Sequence, residues 1–326
     1  MHADHIDDER YDVDDEGQMG SEGRGLDFLW LELTNRCNLK CVHCYTESHP
    51  GSGDKDLLTA LDYESIMNQA YDLGCRKIQF IGGEPQLNPD FPGLLSHAKE
   101  VGFEFVEVFT NLTRLTENVL RFAVLNGVRF ATSVYSHDSA THDAITTVRS
   151  SHAKTVANLK RLIDSEVETR ASIIGIRQND SEVRQTEEFL RDLGVGSVRI
   201  SRVREFGRGE EVTGQRASMS ALCGHCWSGK LCIAPDGTAY PCVMARQWPV
   251  GDVLEDRLES IVNGTRLEKT RKEIFHTAWI PKTTQPVNWC EPCSQSCDPD
   301  LGSCSPNQGV CSPFSCPQSC HPGIQR

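Results

Sequence analysis

Apolar runs of strand length alternate with stretches of helical spacing along most of this chain. The first run, "LDFLWLELT" (26–34), has the length of a buried strand. "DYESIMNQAYDLG" then shows helical spacing and a glycine stop, and "KIQFIGGEP" reads as a strand entering a turn. The alternation continues through the helix "FPGLLSHAKEVG", opened by proline, and the strand "FEFVEVFTN". "TENVLRFAVLNG" is a helix from a threonine start to a glycine stop, followed by the strand "VRFATSVYS". Helix "SHAKTVANLKRLIDSE", strand "ETRASIIGI", helix "SEVRQTEEFLRDLG" and strand "SVRISRV" complete the series.

Repeated βα units imply a parallel sheet with helices packed outside it. The fold class is therefore α/β, a partial (β/α)6 TIM-like barrel over residues 25–205. Residues 1–24 are acidic, carry glycine and lack apolar periodicity, which predicts a disordered tail. Residues 206–222 are rich in glycine and charge and read as a linker. From Cys223 to the end the periodicity fades, and the last stretch has too few large apolar residues to hold a core. A small, cysteine-rich, loop-rich domain (223–326) ordered by bound metal fits that composition.

The formal net charge is −13, which argues against nucleic acid and anionic lipid as partners and suits a cationic substrate. The chain has no apolar run of membrane-spanning length and no signal-peptide pattern, so the expected location is cytoplasmic. Thiols stay reduced there, and the 15 cysteines read first as metal ligands.

Three of these thiols, Cys37, Cys41 and Cys44, share the loop "TNRCNLKCVHCYTE" directly after the first strand. In a barrel, the loops after the strands gather on the functional face. Three thiolates on one loop can hold three irons of a [4Fe–4S] cluster and leave the fourth open to a small molecule. The same spacing also allows a zinc site completed by His43 or His49, or plain surface thiols. Other polar strand ends share the face. The second strand ends in Gly82, Gly83, Glu84 and Pro85, where glycines admit a ligand to the backbone and a carboxylate can accept from an ammonium group. Thr110 and Asn111 end the third strand, and Ser133 ends the fourth.

Together these features resemble the radical S-adenosylmethionine (SAM) superfamily over about residues 26–205. CNLKCVHC is similar to its CxxxCxxC loop, with His43 where an aromatic residue is usual. The resemblance implies that Gly82, Gly83, Glu84 and Pro85 bind the SAM amino group. It also implies that His43, Tyr45, Asn111 and Ser133 contribute to the cofactor site. The open iron would chelate SAM, and one electron would cleave a C–S bond to give methionine and a 5′-deoxyadenosyl radical. That radical would take hydrogen from an unactivated carbon, with flavodoxin or ferredoxin as the electron donor.

A second cysteine group follows. "CWSGKLCIAPDGTAYPC" contains a β-hairpin turn at Asp236-Gly237 that delivers Cys242. With Cys223, Cys226, Cys290, Cys293, Cys297, Cys304, Cys311, Cys316 and Cys320, it resembles the SPASM/twitch extension that holds one or two auxiliary [4Fe–4S] clusters. A zinc knuckle is the alternative. Cys232 falls outside the ligand pattern and is a candidate hydrogen donor for epimerisation, although packing in the hairpin or binding iron is the better explanation of it. The resemblance implies a ribosomal peptide or related natural product as substrate, with crosslinking, epimerisation or desaturation as the outcome. A separate protein that presents a leader peptide would then be a partner. The alternatives are an epimerase or dehydrogenase of an amino sugar, and a non-catalytic metal-binding scaffold.

Overall fold

A computed structural model describes residues 25–284 of the chain. The acidic tail and Cys290, Cys293, Cys297, Cys304, Cys311, Cys316 and Cys320 lie outside the described residues. Parallel strands follow in chain order: β1 (Phe28–Glu32), β2 (Lys77–Ile81), β3 (Phe105–Phe109), β4 (Arg129–Ser133), β5 (Thr169–Gly175) and β6 (Ser197–Arg202). Helices α1 (Ala60–Asp72), α2 (Phe91–Val101), α3 (Glu117–Asn126), α4 (Ser139–Thr146), α5 (Ser151–Asp164) and α6 (Val183–Asp192) connect them. This is the α/β partial barrel that the periodicity predicts.

After α7 (Gly209–Thr213), the strand β7 (Lys230–Ile233) pairs in parallel with β1 on its free side. Two antiparallel strands, β8 (Thr238–Tyr240) and β9 (Gly251–Asp252), extend the wall. The sheet therefore reads β6-β5-β4-β3-β2-β1-β7-β8-β9 and stays open between its two edges. Helices α8 (Leu258–Val262) and α9 (Thr265–Ile274) follow. The described residues through Trp279 form one compact unit, and α10 (Ile280–Thr284) opens a second. The 206–222 stretch and Cys223, Cys226 and Cys242 thus share a unit with the barrel.

Local sequence explains the element ends. Thr59 and Asp62 form a reciprocal capping box on α1, and the Thr116 hydroxyl accepts from the Val119 N–H at the start of α3. Gly102 and Gly127 close α2 and α3 in the left-handed conformation (φ 107° and 61°). Such caps contribute about 1 kcal/mol each. The hairpin turn expected at Asp236-Gly237 joins β7 to β8, with Gly237 at φ 92°. Helix α5 is the one that "SHAKTVANLKRLIDSE" predicts, and the short α4 precedes it. The Asp138 side chain accepts from the Thr141 N–H and nucleates α4 despite its short length.

Strand alternation divides the sheet into two faces. Leu29, Leu31, Ile78, Phe80, Val106, Val108, Ala171 and Ile173 belong to the buried core under the helices. The alternate positions, among them Trp30, Gln79, Phe109, Ser133, Arg170, Ser172, Arg199 and Ser201, face an interior cavity.

Candidate active site

The cysteine loop after β1 is held by backbone bonds from several elements. The N–H groups of Gly83 and Glu84 donate to the carbonyls of Thr34 and Arg36 at 2.7 and 2.8 Å. Asp56 accepts from the Asn35 N–H (2.8 Å), and Val42 donates to the Ile145 carbonyl of α4 (3.0 Å). A Cβ on Gly83 would lie 2.3 Å from the Arg36 oxygen, and one on Gly82 would lie 2.6 Å from that of Thr34. The paired glycines therefore admit the cysteine loop itself, where the sequence suggested a close approach of ligand.

Arg208 clamps the same loop from the far side. Its Nε donates to the Cys41 carbonyl and its Nη2 to the Ser48 carbonyl, each at 2.8 Å, while its N–H donates to the Cys44 carbonyl at 3.0 Å. Gly207 (φ 55°) lets this contact close, since a Cβ there would fall 2.6 Å from the Cys44 oxygen. The segment "VREFGRG" (203–209) offers two arginines and two glycines after β6, which suits an edge of the substrate mouth or a linker, and carries no signal that ties Arg208 to the cysteine loop.

Cys37, Cys41 and Cys44 all line a cavity of about 400 Å³. The Cys37 sulfur accepts from the Leu39 N–H at 3.4 Å and from Asn111 Nδ2 at 3.7 Å, and the Cys41 sulfur accepts from the Tyr135 hydroxyl at 3.9 Å. Burial pushes the thiols of Cys37 and Cys41 up to about 12, so only a bound metal would deprotonate them near neutral pH. His43 is half-buried edge-on to Tyr135 (4.8 Å between centroids), and desolvation lowers its pKa to about 4, leaving a neutral ring whose Nδ1 has no hydrogen-bond partner among the described residues. Tyr45 also faces the cavity, and its hydroxyl donates to Glu32 at 3.2 Å.

Gly82, Gly83, Asn111 and Ser133 join these residues on the cavity wall, whereas Glu84 and Pro85 do not. The Glu84 carboxylate is buried and accepts from the Thr110 hydroxyl (2.7 Å), the Asn111 N–H (2.8 Å) and the Gln86 N–H (3.1 Å). It ties the end of β2 to the end of β3 and so positions Asn111.

Cys223, Cys226 and Cys242 line the same cavity. The Cys226 thiol shares hydrogen bonds with both of the others; that sharing raises its own pKa and lowers that of Cys223 to about 4. Cys232 stands apart, fully buried in β7 beside Trp30 and Tyr240 and absent from the cavity wall. Cys75, at the opposite end of the barrel, is a buried core thiol.

The remaining wall was legible only in hindsight. A parallel strand buried on both faces should read as a continuous apolar run. Gln79, Glu107, Arg170 and Arg199 interrupt that run once each in β2, β3, β5 and β6. Arg170 makes a bidentate pair with buried Glu107 (2.8 and 2.7 Å), which also accepts from Gln79.

The donor set fits iron–sulfur clusters better than single ions. Among the described residues, no three His, Cys, Asp or Glu side chains converge to hold one metal ion, and His49 Nδ1 already accepts from the Gly51 N–H. The thiols instead surround a shared space, and soft sulfur donors suit such clusters.

Comparison with known proteins agrees. The radical SAM superfamily matches residues 31–190, and the SPASM iron–sulfur cluster-binding domain matches residues 223–298. The chain belongs to the radical SAM superfamily, with a SPASM region that follows the barrel. Its cofactors are those of the family: SAM, a [4Fe–4S] cluster and auxiliary iron–sulfur clusters. The chain is 25% identical over 272 residues to the antilisterial bacteriocin subtilosin biosynthesis protein AlbA of Bacillus subtilis, covering 73% of this chain and 60% of that protein. It thus spans about 60% of the length of the curated relatives it matches. The fold resembles Streptococcus suis SuiB bound to S-adenosylmethionine, with a TM-score of 0.63 and 17% identity over 76% of this chain and 68% of that one. It also resembles anSMEcpe bound to AdoMet and a peptide, with a TM-score of 0.59 and 15% identity over 77% and 83% of the two chains.

Proposed function

We propose that this chain is a peptide-modifying radical SAM enzyme that oxidises an unactivated carbon of a ribosomal peptide. One observation carries the reading: the two thiol groups, one on the loop after β1 and one around the β7–β8 hairpin, face a single cavity. A substrate in that cavity would lie between the site that generates a radical and a site able to accept an electron. The names of AlbA, SuiB and anSMEcpe, which concern bacteriocin biosynthesis or bound peptides, add support for a peptide.

Cys37, Cys41 and Cys44 would hold the SAM cluster, and Cys223, Cys226 and Cys242 would supply ligands to an auxiliary one. When bound, the cluster and SAM supply one-electron cleavage of a C–S bond and hydrogen abstraction from carbon. The protein's contribution is positioning. Arg208, Gly82 and Gly83 fix the cysteine loop against its neighbours, and Glu84 orients Asn111 at the cavity wall. The aromatic wall of Trp30, Phe109 and Tyr135, together with neutral His43, excludes water from the reacting carbon.

The burial of Cys232 outside the wall favours oxidation, by crosslinking or desaturation, over epimerisation through that thiol. The amino-sugar reading is disfavoured because, among the described residues, no Asp or Glu side chain lines the cavity. A reductant such as flavodoxin or ferredoxin and a separate leader-binding protein belong to the same proposal. The test is incubation of the reconstituted protein with SAM, dithionite and candidate precursor peptides. Formation of 5′-deoxyadenosine with a peptide mass change of −2 is the expected result. A change of +1 in D₂O would replace oxidation with epimerisation, and an absence of 5′-deoxyadenosine would leave a non-catalytic scaffold.

A further inference from the structure

Among the described residues, the lysine and arginine side chains on the cavity wall face no carboxylate lining the same wall. Arg170, Arg199, Arg202, Arg204 and Lys230 line it, and among the described residues no Asp or Glu does, in a chain whose net charge is −13. An acidic protein that concentrates cations around this cavity departs there from its own average charge. The cations also differ in how they are engaged. Arg170 is neutralised by Glu107 behind the wall, and Arg204 lies close enough to Cys223 to lower the pKa of that thiol. Arg199 and Arg202 belong to β6, the edge strand of the sheet, where Arg199 stands beside Ser172 and Arg202 beside Gly175. Arg202 is exposed at the strand's C-terminal end, on the side from which the cysteine loop also emerges. Ser172 and Ser201 add hydroxyl groups to this part of the wall.

Taking the peptide reading as its starting point, we infer that the β6 edge of the cavity is a carboxylate-reading subsite. The substrate presents an acidic group there, either an Asp or Glu side chain or a peptide C-terminus, while the carbon to be oxidised lies deeper, between the two thiol groups. A guanidinium is suited to this task because its planar donor fork matches a carboxylate. Cations without a carboxylate among the described lining residues favour an anion over a cation at this edge. Arg202 acts as a specificity residue at the entrance. The apolar wall of Phe28, Trp30 and Phe109 packs the remainder of the bound segment.

The test uses the full-length reconstituted protein, immobilised anaerobically with SAM and exposed to an N-acetylated random decapeptide pool. Half of the pool is C-terminally amidated, and the bound fraction is sequenced. Bound peptides should be enriched at least threefold in Asp and Glu, or in free C-termini, and comparison of the amidated half with the other identifies which carboxylate is read. Arg202→Gln should flatten the enrichment, and Arg202→Lys should keep most of it. A bound pool without acidic enrichment, or one enriched in Lys and Arg as the net charge alone would produce, overturns the subsite. The same holds for an acidic preference that survives unchanged in Arg202→Gln. SAM cleavage by the same wild-type preparation is measured separately, so failure of the radical enzyme reading is distinguished from failure of the subsite.

Discussion

The two thiol groups that share the cavity are built differently. Cys37, Cys41 and Cys44 sit on a loop whose backbone is bonded to β2, α4 and Arg208, and their sulfurs receive hydrogen bonds from Leu39, Asn111 and Tyr135. Cys223, Cys226 and Cys242 bond instead to one another, on a 3₁₀ turn and just beyond a hairpin strand. The first group is a rigid three-point mount whose donors already stand apart. The second is a set of sulfurs that, without metal, satisfy each other. Substrate chemistry needs the first to keep its geometry with a coordination position open, whereas an auxiliary cluster needs only to be held.

The sharpest way to break this comparison is to remove one sulfur from each side. Cys41→Ala should abolish 5′-deoxyadenosine formation, whereas Cys226→Ala should lose iron yet retain measurable cleavage; equal loss in both would erase the division of roles. A smaller effect is expected beneath the cavity. Glu107→Ala leaves Arg170 without its buried partner and should destabilise the fold by about 3 kcal/mol in urea unfolding.

Arg208→Ala removes two charge-assisted bonds to loop carbonyls and should cost about 2 kcal/mol. It should also raise the KM for SAM more than it lowers kcat, because the loop is loosened while its thiols remain. The mildest effect concerns pH. Burial holds His43 and His142 neutral, with pKa values of about 4, while the unfolded chain binds those protons near 6.5. Their contribution to stability is therefore complete above pH 6.5 and is lost as the pH falls towards 4, which denaturant titration of the cluster-free protein would show.

The sequence announced the helix-covered face of the fold and concealed the inner one. Thr116 and Gly127 mark both ends of α3, and Asp236-Gly237 marks the hairpin, because caps and turns are local chemistry. The cysteine loop was legible because three thiols in eight residues have few structural reasons to exist. Arg208 was not, since its role depends on a contact across more than 160 residues of chain. Gly82 and Gly83 were noticed for close backbone approach, and the cysteine loop makes such an approach while both glycines also line the cavity. Glu84 was read as an acceptor for an ammonium group, and in the structure its carboxylate accepts from Thr110, Asn111 and Gln86. The cationic wall lay in plain view as polar residues at alternate positions of strands such as "SVRISR", and only the sheet register shows that these positions converge.

The most direct measurement of the central claim is electron paramagnetic resonance of the dithionite-reduced protein with and without SAM. The account predicts that SAM alters the signal of one cluster, and that this SAM-sensitive signal disappears in Cys41→Ala but persists in Cys226→Ala. A spectrum indifferent to SAM, or one whose SAM-sensitive component follows Cys226 and not Cys41, would contradict it.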